Sequence, residues 1–470
     1  MRTEDLDTAP ALAAAVRRRS IGARELVVAA LDAIEDVDGR IGATVHVDAD
    51  RALAAAEAID EDAVARPEAL GPYAGVPTLI KDLNNVAGMP TTFGARSMAD
   101  FTPPFDDEAV RRIRAAGFVI LGKSAAPEVG SLPVTESALH GACRNPWDLD
   151  RTAGGSSGGA AAAIAAGYVV AAHGSDGGGS IRIPAACCGV TGIKPSRGRV
   201  SNAPLFGDQV MGFATQGPLG RRLVDAAALL DVMQGPAPGD PVVVAPLDGS
   251  SVEAVGRDPG RCRIGVVTAV PWATPDRATA AAVARAVELL EDLGHVVEAL
   301  DLRLPSSLID DFLRVWSASV AANPLPDDQL EPHNRRFAAD GHALSAPALL
   351  RAVTSLQAAS RGAAAASEPY DAVLAPVVTR PAVAIGTFTE LPPEALAGAL
   401  AEWLGVTPVV NVTGQPAVAL PVDLSGEGLP VGVQLIGRAA GEEPLLGLAG
   451  SLERALAWDR RPPSPVGARR

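Results

Sequence analysis

Cysteine is the first shortage. The 470-residue chain has four, at positions 143, 187, 188 and 262. That is too few for a disulfide scaffold, and no Cys-x-x-Cys pair suggests a zinc ribbon. The adjacent Cys187 and Cys188 read as small core residues. Aromatic residues make up only 4% of the chain, so alanine, valine and leucine must do most of the packing. Basic residues fall short of acidic ones, 40 against 55, giving a net charge of −15. Nucleic-acid binders carry a basic face, so that partner class is not expected; a solvated acidic surface accounts for the excess. Long apolar runs are missing as well. The longest, Ala160 to Ala172, is too short to span a bilayer, and the opening MRTEDLDTAP lacks the apolar core of a signal peptide. A cytoplasmic protein without a membrane partner is the expectation. The six histidines, at 46, 140, 173, 295, 333 and 342, occupy no serine-hydrolase motif, and Gly-x-Ser-x-Gly is absent. No internal repeat stands out.

Glycine and small residues are abundant instead, and they concentrate between Arg151 and Arg199. Two glycine-walled serine turns lie there: Gly154-Gly155-Ser156-Ser157-Gly158-Gly159 and Asp176-Gly177-Gly178-Gly179-Ser180-Ile181-Arg182. Glycine lets another group approach the main chain closely, so the pair looks built to bring two hydroxyls together. A helix expected over Ala160 to Ala166 turns its N-terminus, with free N–H groups, toward Ser156 and Ser157. A serine attacks a carbonyl only if a base takes its proton. Without a histidine motif, a buried lysine can serve. Lys81 closes the apolar run of Gly75-Val76-Pro77-Thr78-Leu79-Ile80-Lys81-Asp82. On that segment alone, an ordinary strand-end lysine paired with Asp82 is the plainer account. Lys123, after Gly122, is a rival base and reads as structural.

The ordered motifs GVPxxxKD, GGSSGG and DGGGSIRxPA followed by CGVTGIKP resemble the amidase signature family of serine hydrolases. The resemblance runs from SIGARELVVAALDAIEDV to GLPVGVQLIGR. It implies a single large α/β domain over 1–470, a central mixed, mostly parallel twisted β-sheet covered by helices on both faces. It implies an amidohydrolase acting on carbon–nitrogen bonds other than peptide bonds, with Ser180 as nucleophile, Ser156 as relay and Lys81 as base, and needing no cofactor and no metal. It also implies a cis peptide bond between Gly155 and Ser156. The N–H groups of Gly177, Gly178, Gly179 and Ser180 would form the oxyanion hole. Ser157, Thr152, Asp176 and Arg182 are the expected supporting residues, and Asn145-Pro146-Trp147 a structural turn.

Taken in order, residues 1–65 read as helical, with Thr8 and Ser20 ahead of the first two helices and a third over Ala49 to Ile59. Residues 71–234 hold the catalytic motifs, 235–260 are linker-like, and 261–470 complete the sheet. Strand-like runs are expected at Tyr168 to Ala172, Asp371 to Pro376 and Val409 to Val422. Residues 305–365 differ in texture and correspond to the variable substrate entrance. Phe206, Met211, Phe213 and Trp316 are candidate pocket walls, which suit an aryl or aliphatic acyl group. The wording of DGGGSIR and KPSRGR is similar to the family branch with cyclic aminohexanoate-dimer hydrolases. The implied partner is a small-molecule amide, carbamate or ester; a homodimer stays open. Two other readings remain: an amidotransferase subunit that releases ammonia from glutamine with partner chains, and a non-catalytic anion or nucleotide binder using the glycine-rich loops.

Overall fold

The computed structural model describes residues 7–463; residues 1–6 and 464–470, at the ends of the expected domain, lie outside the described part. The N-terminal helices start where capping chemistry allows. Thr8 caps Ala9–Arg17, with Pro10 in the first turn, a position where a missing N–H costs nothing. Ser20 does not cap the second helix, Ala23–Ile41. Asp60, on the third helix, accepts from the N–H groups of Ala23 at 2.7 Å and Arg24 at 3.0 Å instead. The third helix runs Ala49–Ala65, longer than expected, from an Asp48 cap.

The large sheet has eight strands in the order Val296–Ala299, Arg263–Val266, Ala372–Pro376, Pro430–Gly437, Ala417–Leu424, Thr191–Lys194, Thr215–Gly220, Ala171–Asp176. It is mixed, but the expected parallel majority is wrong. Only the two pairings among the first three strands are parallel, and the other five neighbours are antiparallel. The parallel part comes from helical crossovers, whereas the tight Ser425–Leu429 turn between Ala417–Leu424 and Pro430–Gly437 forces an antiparallel pair. Both faces are covered. Val418, Leu420 and Val422 point into one buried apolar layer, with helices Leu223–Met233 and Glu442–Leu456. The alternate Ala419 points into the other, with Gly158–Ala165 and Arg182–Cys188, the period of two that a doubly covered strand requires.

The run Val409 to Val422 is not one strand. Thr407–Thr413 is a helix with Pro408 in its first turn and Gly414 left-handed at its end, and the strand begins only at Ala417. A short, fully buried apolar run has no periodicity to tell helix from strand. The strand expected at Tyr168 to Ala172 likewise begins later and runs Ala171–Asp176. The linker-like stretch is irregular only as far as Ser250, after which comes a short helix, Ser251–Gly256.

A second sheet of three strands, in the order Thr44–Val47, Val119–Ser124, Pro77–Lys81, was not foreseen as a unit. Its edge strand Pro77–Lys81 lies against the edge strand Ala171–Asp176 of the large sheet, with Thr78 Oγ1 donating to the Ala171 carbonyl at 3.0 Å. That seam decides the site: the ends of two strands, one finishing in Lys81 and one in Asp176, come out side by side.

Candidate active site

Lys81 is fully buried at the seam. Its Nζ lies 2.8 Å from Ser156 Oγ, 3.0 Å from Ser175 Oγ and 3.4 Å from the Ser175 carbonyl. Burial draws its pKa down to about 7, against an opposing pull from Asp176; a lysine cut off from water with no carboxylate in contact loses its proton readily. Asp82 does not pair with it. The Asp82 carboxylate holds Lys123, at 3.1 Å, which also donates to the Asn84 carbonyl and Thr91 Oγ1, both at 2.8 Å. Adjacent residues on a strand face opposite ways, so Lys81 and Asp82 serve different sides. Lys123 is spent on structure.

The two serine turns meet as their glycines suggested. The Ser157 N–H donates to the Ser180 carbonyl at 3.1 Å, and Ser157 Oγ to the Ser175 carbonyl at 3.2 Å. The Gly155–Ser156 peptide bond is cis. Four N–H groups at the first turn are not free, which narrows the expectation there. Those of Gly154, Ser157, Gly158 and Gly159 donate to Thr152 Oγ1, the Ser180 carbonyl, Thr135 Oγ1 and the Ala125 carbonyl respectively. Thr152 thus holds the turn rather than a ligand. Asn145 and Trp147 donate to carbonyls of Thr152, Cys187 and Cys188, a structural turn.

The second turn is built around Asp176 and Arg182, both fully buried. Arg182 Nε and one terminal nitrogen each reach an Asp176 oxygen at 2.9 Å. Asp176 also accepts from the N–H groups of Gly179 at 2.7 Å and Ile181 at 3.2 Å, flanking Ser180 on both sides. Burial pushes the pKa of that carboxyl up, and Arg182, together with Lys194 and Asn411, more than offsets it and holds the group well below the usual range. Sequence reasoning missed the second half of this network. Asn411 donates to the Asp176 carboxylate and carbonyl, both at 2.9 Å, while Arg182 donates to Asn411 Oδ1, Gln434 Oε1 and the Thr407 carbonyl. These residues lie more than 220 positions on, with no local motif to mark them.

Four amides were expected in the oxyanion hole, and one of them is already engaged. The Gly179 N–H is taken by Asp176, whereas those of Gly177, Gly178 and Ser180 have no acceptor among the described residues. Gly179 has another task. Its φ is +130°, and a Cβ there would stand 2.6 Å from both Ile183 Cδ1 and Thr407 Cγ2. Gly179→Ala must therefore displace the loop, and displacement of a catalytic group by about 1 Å costs on the order of 10²-fold in rate. Steady-state kinetics on the variant should show at least that loss, and near-normal turnover would mean that the loop tolerates a Cβ.

The Ser180 hydroxyl has no hydrogen-bond partner among the described residues and opens on a cavity of about 30 Å³. Trp316 lines that cavity. Phe213 does not; it is buried behind Phe312, ring centroids 6.1 Å apart. Phe206 and Met211 are more than half exposed and lie outside it. Nearness in sequence to the motifs misled here, because residues 202–212 run out over the surface. Phe312, Ile183, Leu400, Leu404 and Ser131 line the cavity and were not foreseen. A larger groove, about 890 Å³ between Arg151, Arg277, Arg380 and Asp423, contains none of Lys81, Ser156 and Ser180. The Ser180 hydroxyl faces the small cavity and not this groove. No group of three or more metal-ligating side chains occurs among the described residues, and no single described helix is long and apolar enough to cross a membrane.

The family model described as Amidase matches residues 25–446. The 6-aminohexanoate-cyclic-dimer hydrolase of a Pseudomonas species is 36% identical over 97% of this chain and 96% of its own length. Among solved structures, that of 6-aminohexanoate cyclic dimer hydrolase with its substrate superposes with a TM-score of 0.89 at 34% identity, over 97% of this chain and 98% of the other. A bacterial aryl acylamidase of the amidase signature enzymes gives 0.88 at 27% identity, over 96% of both.

Proposed function

We propose a mechanism from one premise: the chain belongs to the amidase family, and it is an amidase, a hydrolase of carbon–nitrogen bonds. In this reading Ser180 is the nucleophile, Ser156 the proton relay and Lys81 the base. One observation carries it: a buried lysine with its pKa near neutrality, 2.8 Å from a serine whose turn is bonded to the loop of a second, unpaired serine. The neutral Lys81 amine accepts the Ser156 proton as Ser156 accepts that of Ser180. Ser180 Oγ then attacks the amide carbon. The charge that develops on the carbonyl oxygen meets the N–H groups of Gly177, Gly178 and Ser180, and one such donor is worth about 3–4 kcal/mol. Collapse expels the amine, which takes its proton back through Ser156. Water then cleaves the acyl-enzyme by the same relay.

The relatives named above for a cyclic amide and for aryl acylamides support small-molecule amides as substrates, with carbamates and esters as chemically related ones. All four cysteines are free and buried, which suits a reducing compartment such as the cytoplasm. A glutamine-hydrolysing subunit fits less well, because no charged side chain lines the cavity to meet the charges of an amino acid. The test is hydrolysis of an acyl p-nitroanilide and a matched aryl carbamate by the chain alone, beside Ser180→Ala. Turnover is expected on the anilide, falling by at least about 10⁴-fold in the variant. Activity that survives Ser180→Ala would remove Ser180 from the mechanism.

A further inference from the structure

The cavity at Ser180 has a side. Its lining includes Gly178 and Ser180 from the nucleophile loop but neither Ser156 nor Lys81. A leaving amine must sit by the relay to regain its proton, and Gly130 marks that end of the cavity, a Cβ there standing 3.4 Å from Ser156 Oγ; the walls beyond it are left to the acyl group. The walls there are apolar: Ile183, Leu400, Leu404, and the rings of Phe312 and Trp316. Phe312 and Trp316 are four apart on helix Leu308–Ala321 and stack with centroids 5.7 Å apart. They lie directly on the loop: a Cβ on Gly178 would stand 3.1 Å from Phe312 Cζ, and one on Gly177 3.1 Å from Trp316 Cζ3. Trp316 is itself fixed, its indole N–H donating to the Ser131 carbonyl at 3.1 Å.

One polar side chain interrupts this wall. Ser131 is 5% exposed, and its buried Oγ has no hydrogen-bond partner. A buried hydroxyl left unpaired costs about 1–3 kcal/mol, and a ligand atom reaching it removes that cost. What limits length is the pair of rings, since Phe312 and Trp316 close directly on the Gly177–Gly178 loop. No charged residue lines the cavity to meet a charged acyl group, and a bare charge does not enter such surroundings without a large penalty.

We propose that this cavity selects short, uncharged acyl groups, that Trp316 is the residue setting their length, and that the Ser131 hydroxyl binds an acceptor atom within the acyl chain. The proposal rests on Ser180 being the nucleophile. It is tested with p-nitroanilides of butanoic, octanoic, methoxyacetic and succinic acids. The wild type should favour butanoyl over octanoyl by at least about 100-fold in kcat/KM, and over the succinyl carboxylate by a similar factor. Trp316→Ala should cut the first ratio below about tenfold by raising octanoyl turnover, with the milder Trp316→Phe in between. Ser131→Ala should lower kcat/KM for methoxyacetyl, through KM, about tenfold more than for butanoyl. Indifference of the wild type to acyl length or charge would overturn the proposal. So would an equal loss on every acyl group in the Trp316 variants, or an equal effect of Ser131→Ala on both short anilides. Failure of the parent reading looks different: no anilide is cleaved at all, or cleavage persists in Ser180→Ala, and either result overturns this inference as well.

Discussion

Lys81→Arg is expected to lower kcat/KM by about 10⁴-fold although it keeps the positive charge. A guanidinium does not give up its proton in a protein, and the task assigned to Lys81 is to be neutral and take one from Ser156, 2.8 Å away. Lys81→Met should be equally inactive. It removes a buried amine rather than adding a bulky cation, so it is expected to fold and melt as a single cooperative unit, separating loss of the base from loss of structure. The sign of the pH dependence follows from the same site. Burial draws the pKa of Lys81 down to about 7. Above that value the amine is the base it needs to be, and below it the protonated form has nothing to accept with. The profile of kcat/KM should therefore be flat at alkaline pH and fall tenfold per unit below about 7. Lys194 is also buried and drawn down to about 7, but its Nζ donates only to the Pro195 carbonyl. Lys194→Met should leave the acid limb in place. Activity that stays level down to pH 5, or a Lys81→Met enzyme within tenfold of wild type, would show that another group takes the proton.

What the sequence reveals about this site depends on how local the physics is. Lys81, Ser156 and Ser180 could be named because each sits in a contiguous motif whose glycines and apolar run are part of its function. That Asp176 and Arg182 serve the loop was legible for the same reason: they are six residues apart and meet across one turn. Their other partners, Asn411 and Gln434, were invisible, because a long-range hydrogen bond leaves no trace in spacing. Strand direction was obscure for a related reason. An apolar run marks the neighbourhood of a strand such as Ala417–Leu424 but does not say which way its neighbour runs. The pocket was least legible. Its walls come from the 130s, 180s, 310s and 400s, while Phe206 and Met211, chosen for closeness to the motifs, lie outside it. Only Trp316 was named in advance, and Phe312, one helical turn earlier, carries the same signal once the helix is known.

Arg182→Met should damage both stability and catalysis, and the reason is the carboxylate it abandons. Arg182 and Asp176 are both fully buried, joined by two 2.9 Å contacts. A buried pair of this kind contributes little net stability compared with an apolar pair of the same size. Breaking it from one side is different, since it leaves a charge with no counter-ion in a dry interior, at a cost of about 3–5 kcal/mol. Denaturant unfolding at constant slope should read that loss. The catalytic consequence follows from what Asp176 still has to hold. Its two oxygens accept from the N–H groups of Gly179 and Ile181, on either side of the nucleophile. If the carboxyl takes up a proton or turns toward Asn411, both anchors loosen and the amides of Gly177, Gly178 and Ser180 lose their common aim. The variant should therefore lose kcat by about 10²-fold or more, and where Asp176 takes up a proton its upward pull on Lys81 goes with it, so the acid limb should move to lower pH. Arg182→Lys should rescue little, since an ammonium cannot span two carboxylate oxygens while reaching Asn411, Gln434 and the Thr407 carbonyl. A folded Arg182→Met enzyme with normal kcat would mean that Asn411 alone suffices to hold Asp176, and that the arginine serves only the packing of strand Pro430–Gly437 against the loop.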